Sequence, residues 1–216
     1  MTRISWERWA ALAGVAFVAL YVAAFALGIE VGNSDREIVD YYGNSAHRAK
    51  EVVAFFLISS AALAFVVFAA ALRSLIWRAQ QAPATLAALA WAGGVACSVL
   101  LLAGNAVSRA TAFTSMDHEF KLDPNTRRQL EDVGFLLFVS GALAAILLVV
   151  AVSVAALRLR VLPRWLGWAG FPVAFLMPTA IGFLGFLVFA LWVLTVSGAL
   201  ALRRSAATPA RANPMP

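Results

Sequence analysis

Five long stretches without Asp, Glu, Lys, Arg or His divide the chain, at 9–29, 52–72, 79–108, 133–157 and 165–202. A helix needs roughly 20 apolar residues, at about 1.5 Å rise each, to cross about 30 Å of hydrocarbon. The first four stretches each suit one span. The fifth holds 38 residues, and as one helix it would reach about 57 Å, nearly twice the hydrocarbon thickness. It therefore has to turn. Pro178 removes a backbone donor and disfavours helix at the residue before it, and Gly182 and Gly185 follow closely. The expected fold is an all-α, polytopic transmembrane bundle of six spans, at about 7–29, 49–73, 83–107, 130–157, 163–178 and 180–202. Five spans ending in one long tilted helix is the alternative. Residues 1–204 form one transmembrane domain, and the Ala-, Pro- and Arg-rich tail 205–216 is expected to be disordered and cytoplasmic.

Composition agrees with a lipid-facing exterior. The 216 residues are 62% hydrophobic and 13% charged, about half the charged share of a soluble domain. A bilayer removes the need for a charged coat. The net charge of +6 comes from basic residues in short connectors rather than from a basic patch interleaved with base-reading side chains, so no nucleic-acid partner is expected. With six spans, one side carries the N-terminus, the 73–84 and 158–164 connectors and the tail, at +9, against −3 on the other side. Lys and Arg accumulate in the cytoplasm, which places both termini inside a multi-pass protein of the cell membrane. Trp6, Trp9, Trp77, Trp165 and Trp168 fall at the same ends, where indole rings settle at the headgroups. Ala24-Phe25-Ala26 resembles a cleavage site, yet the 21-residue run before the first outer connector exceeds the about 7–15 residues of a signal-peptide core, so an uncleaved span is expected. Cys97 is the only cysteine and excludes a disulfide framework.

No ionisable side chain lies mid-span except Cys97, which argues against proton- or ion-driven transport. The buried polar residues are Ser, Thr and Asn105. Hydroxyls of this kind mostly return a bond to their own backbone. The ionisable groups collect instead at the outer surface. His47 and Glu51 are one turn apart, and Arg48 can meet Glu51 at i+3; Arg128 stands three and four residues before Glu131 and Asp132. Asp123 suits an N-cap, with Pro124 in the first turn.

Three readings of this cluster stay open. The residues are helix caps and interfacial ion pairs; or they border a shallow pocket for a small polar molecule or lipid headgroup between spans 2, 3 and 4; or they form a metal or hydrolytic site. In the pocket, Arg48 and Arg128 are the anion contacts, with Tyr41, Asn105 and Asp132 completing the set. The metal site would use His47, Glu51 and His118, without the spacing that zinc ligands usually show. There is no catalytic-serine signature, phosphate loop or dinucleotide fingerprint, and no cofactor is expected.

From Glu131-Asp132-Val133-Gly134-Phe135-Leu136-Leu137-Phe138, through Leu162-Pro163-Arg164-Trp165-Leu166-Gly167-Trp168, to Arg203-Arg204, the chain resembles a family of uncharacterised actinobacterial-type multi-span integral membrane proteins, grouped as a domain of unknown function. Tyr41-Tyr42 followed by Arg48 in the first outer connector adds to the likeness. The resemblance implies six spans and no activity. The leading functional expectation is a non-enzymatic membrane protein that binds a small molecule or lipid, or serves as an accessory subunit, with a bilayer, a homo-oligomer or a membrane partner subunit around it. A membrane-embedded enzyme at the outer leaflet and a passive channel or exporter are the alternatives.

Overall fold

The computed structural model describes residues 6–27, 32, 34–79, 83–117, 121–182 and 184–202. Its elements are α1 (Trp6–Leu27), α2 (Asp35–Gly43), α3 (Ser45–Trp77), α4 (Ala84–Thr114), α5 (Pro124–Leu159), α6 (Arg164–Leu176), a 3-10 segment (Met177–Gly182) and α7 (Leu184–Leu202). Five of them, α1, α3, α4, α5 and α7, are long and apolar enough to cross a membrane. The Arg203-Arg204 pair, the 205–216 tail and His118 lie outside the described residues.

The fifth apolar stretch breaks where proline placed the break. Helix α6 ends at Leu176, and the 3-10 segment carries Pro178. The chain then reverses. A Cβ on Gly170 would stand 3.5 Å from Trp192 Nε1, whereas the same 22 positions along one continuous helix would separate them by about 33 Å. Helix α6 has 13 residues, an axial length of about 20 Å.

Helices α3, α4 and α5 run longer than the expected spans, at 33, 31 and 36 residues. Each exceeds about 45 Å and therefore projects beyond a hydrocarbon core of about 30 Å. Glu51, Arg73, Arg109, Asp132 and Arg158, which flank the apolar stretches, thus sit on helix, not in loops. Around the bundle α1 packs on α3, α3 on α4, α4 on α5, α5 on α6, α6 on α7 and α7 back on α1. Phe17, Phe65 and Phe189 fill the centre of this ring, with centroids 4.7 Å apart for Phe17–Phe65 and 5.6 Å for Phe65–Phe189. Trp192 is buried beside them.

The α4–α5 contact is the most extensive in the bundle, and glycines remove side chains between the two backbones. A Cβ on Gly104 would lie 2.7 Å from the Gly134 carbonyl oxygen, and one on Gly93 would lie 2.6 Å from Leu148 N. Small residues permit such approach in membrane helices, where dispersion rather than water exclusion drives packing. The buried hydroxyls of Ser98 and Ser153 close on their own helices, at the Gly94 and Val149 carbonyls, while the Ser197 hydroxyl has no partner among the described residues.

The connector between α1 and α3 holds a helix that the hydropathy pattern did not announce. Ser34 caps α2 and forms a reciprocal capping box with Glu37. Asn44 ends α2, and its side chain accepts from Ala46 N to start α3. Ile38, Tyr41 and Tyr42 of α2 bury against Ala112 of α4 and Leu122. This small second core seats α2 across the adjoining ends of the long helices.

Candidate functional site

Beneath α2 the long helices turn several charged side chains inward. Glu51, on the seventh residue of α3, is 4% exposed. Its Oε1 accepts the Tyr41 hydroxyl at 3.0 Å, and its Oε2 accepts Arg109 Nη1 from α4. Arg127, at the start of α5, is 9% exposed; it pairs with Glu131 one turn on and lies 5.8 Å from the centre of the Tyr42 ring. A charge removed from water needs a partner, and here each buried cation has a carboxylate.

These groups border a cavity of about 390 Å³, a volume within the usual range of small-molecule sites. Helix α3 contributes Glu51 and Ile58, α4 contributes Leu101, Gly104, Asn105, Ser108 and Arg109, and α5 contributes Arg127, Glu131, Gly134, Phe135 and Phe138. Tyr21 and Phe25 of α1 and Tyr42 of α2 close it. The cavity exists where glycine replaces bulk, at Gly104 and Gly134, and where the helix ends beneath α2 carry long polar side chains instead of apolar fill. A second space of about 200 Å³, lined by apolar atoms, adjoins it and shares Tyr21, Phe25 and Leu101 as wall residues.

Of the residues expected to bind ligand, Asn105 lines the cavity. Its Nδ2 donates to the Phe55 carbonyl at 2.9 Å and to Ser59 Oγ at 3.2 Å, tying α4 to α3. Its Oδ1 is buried without a hydrogen-bond partner among the described residues. Tyr41 stands behind the wall and holds Glu51. Arg48, Arg128 and Asp132 do not line the cavity. The arginines take partners beyond the expected ones. Arg48 donates not to Glu51 but to the Tyr42 and Gly43 carbonyls, neutralising the C-terminal end of α2. Arg128 donates to Asp35 of α2 at 2.6 Å and to Asn125 at 3.2 Å, and Arg127 pairs with Glu131. The physical reason is rotational. Arg127 shares a heptad face with Gly134, Gly141 and Leu148, all buried against α4, whereas Arg128 is turned off that face by about 100°.

His47 stacks on the Tyr41 ring at 4.4 Å, with Nδ1 buried and unpartnered among the described residues. Both Glu51 oxygens are engaged by Tyr41 and Arg109. Among the described residues no three His, Cys, Asp or Glu side chains converge to hold a metal ion. Outside the membrane-spanning segments, Asp123 caps α5 as expected. The Thr126 hydroxyl, then the Asn125 and Thr126 amides, hold its carboxyl below the ordinary carboxylate range.

Arg109 and Arg127 are the cavity residues that sequence reasoning missed. Arg109 falls four residues after Asn105 and eight after Leu101, one continuous face of α4. Arg127 falls seven before Gly134. Extending each small-residue face outward would have found both.

Comparison with known protein families, curated proteins and solved structures returned no match.

Proposed function

We propose that this protein is a six-span, multi-pass protein of the cell membrane with both termini in the cytoplasm, and that it binds a small polar molecule or a lipid headgroup in the outward cavity between α3, α4 and α5. The reading is non-enzymatic: a ligand-binding or accessory protein. It is compatible with the multi-span family whose connector Leu162–Trp168 resembles. One observation carries it. Two arginines and two glutamates, three of the four at least half removed from solvent, converge on an open cavity beneath a docked helix. Ion pairs serving only to hold helix tops together would gain by closing that space, since a void forfeits the dispersion contacts of its walls.

The orientation rests on the +9 and −3 faces and on the exposed Trp9, Trp77, Trp165 and Trp168. Single cysteines in a Cys97→Ser background test it. A membrane-impermeant maleimide applied to intact cells should label Gly43→Cys and spare Arg78→Cys and Ala206→Cys. Labelling at position 206 would replace six spans by five. For binding, native mass spectrometry of protein extracted in a mild neutral detergent should find a bound mass that Arg109→Gln loses. Wild-type protein that carries no ligand under any extraction, and none after incubation with anionic lipids, would sink the reading.

A further inference from the structure

The two adjoining spaces form a polarity ladder. Along one face of α4 run Arg109, Asn105, Leu101 and Cys97, four residues apart; the first two line the polar cavity, Leu101 borders both spaces, and Cys97 lines the apolar chamber. The charged end lies at the outer helix tips and the apolar end points toward the bundle interior, the gradient of a lipid leaflet. The chamber, between α1, α4 and α7, is lined by Val22 and Leu187, which are 57% and 62% exposed on the bundle's outside. It therefore opens sideways toward lipid. Its about 200 Å³ is comparable to the roughly 150 Å³ apolar cavity that takes one benzene-sized group, room for part of one alkyl chain whose remainder runs on toward the lipid.

The ion pairs differ in how easily they exchange. Glu51 is held from two sides in a nearly closed site. Glu131, by contrast, has a side chain 51% exposed while its partner Arg127 is 10% exposed. A half-exposed carboxylate contributes little as a fixed counter-ion and can swing into water when another anion arrives. Arg127 can then offer its planar fork bidentately.

Resting on the binding role proposed above, we infer that the cavity takes a single-chain amphiphile with an acidic headgroup. The headgroup displaces Glu131 from Arg127, and the chain passes Tyr21 into the chamber between α1, α4 and α7. Glu131 is the placeholder of the empty site.

Full-length protein in phosphatidylcholine nanodiscs, titrated with dodecyl phosphate, dodecanol and inorganic phosphate and read by native mass spectrometry, tests this. Dodecyl phosphate should bind one per chain, with the other two at least about tenfold weaker. Arg127→Gln should weaken it by about tenfold, whereas Glu131→Gln, with folding checked by its unfolding midpoint because it strips Arg127 of its carboxylate, should tighten it. Leu187→Trp at the chamber mouth should weaken dodecyl phosphate and leave ethyl phosphate unchanged. Equal, Arg127-dependent binding of inorganic phosphate would overturn the chain assignment and leave the polar site standing. Dodecanol binding as well as dodecyl phosphate, or Glu131→Gln weakening the latter, would overturn the acidic headgroup. Should no phosphate compound bind in an Arg127-dependent way, while another polar ligand still requires Arg109, this inference falls alone; if nothing binds, both fall.

Discussion

Replacing Glu51 by glutamine isolates the charge of the buried pair while keeping its shape. The amide oxygen of the variant can still accept the Tyr41 hydroxyl, which stands 3.0 Å from the native Oε1. What the substitution removes is the counter-charge of Arg109, whose side chain is 15% exposed. Breaking a buried pair from one side costs about 3–5 kcal/mol, because the surviving charge stays desolvated. Two features of this site lower that figure. The amide still offers an oxygen to the guanidinium, and Arg109 faces a cavity wide enough for water. We expect a loss of about 2–3 kcal/mol. Arg109→Met should cost a similar amount, since it leaves Glu51 buried with Tyr41 as its remaining donor. In Glu51→Gln/Arg109→Met no charge is left unpaired, so the double variant should lose about 2 kcal/mol less than the sum of the singles. The assay is equilibrium unfolding in mixed micelles with increasing SDS, followed by tryptophan fluorescence. A single-variant loss under about 0.5 kcal/mol, or strictly additive losses, would mean that the pair is solvated and energetically idle.

Three further expectations follow from the same geometry. Asn105→Ala removes the α4-to-α3 bonds at Phe55 and Ser59 and should cost about 0.6–1.7 kcal/mol in the same unfolding assay, the range of interhelical hydrogen bonds in membranes; a variant as stable as wild type would reduce those bonds to bystanders. Gly104→Ala places a Cβ 2.7 Å from the Gly134 carbonyl and should destabilise by about 1–3 kcal/mol through overpacking, while Gly198→Ala, with nothing within 4 Å, should stabilise by up to about 1 kcal/mol; the reverse order would refute the close α4–α5 approach. The Asp123 cap should hold above the ordinary carboxylate pKa of 3.8 and fail as pH falls through the depressed folded value, because protonation removes the acceptor charge. Protection factors of the Asn125 and Thr126 amides, taken against intrinsic exchange at each pH, should therefore fall in acid in the wild type and stay flat in Asp123→Asn, which caps without titrating.

The distribution of charge along the chain and the position of Pro178 determined by themselves where the long apolar helices lie and where the last apolar stretch breaks. Solvation acts residue by residue: a stretch such as 52–72 has no favourable exposed state in water, and Pro178 cannot continue a helix regardless of its neighbours. Caps were legible for the same reason, since Asp123 acts on amides two and three residues away. The partner of each charge was not. Arg48, Arg128 and Glu51 each have a plausible local partner at i+3 or i+4, worth a few tenths of a kcal/mol on an isolated helix. Packing offers better ones: the α2 carbonyls for Arg48, Asp35 for Arg128, and Arg109, 58 residues away, for Glu51. Which option wins depends on the rotation of each helix about its axis, and that is set by where its glycines and alanines meet a neighbour. The tertiary structure also decided that an acid-rich connector becomes a helix seated on Ile38, Tyr41 and Tyr42, and that a cavity survives beneath it. Local sequence describes what each segment would do alone, and a space between helices belongs to none of them.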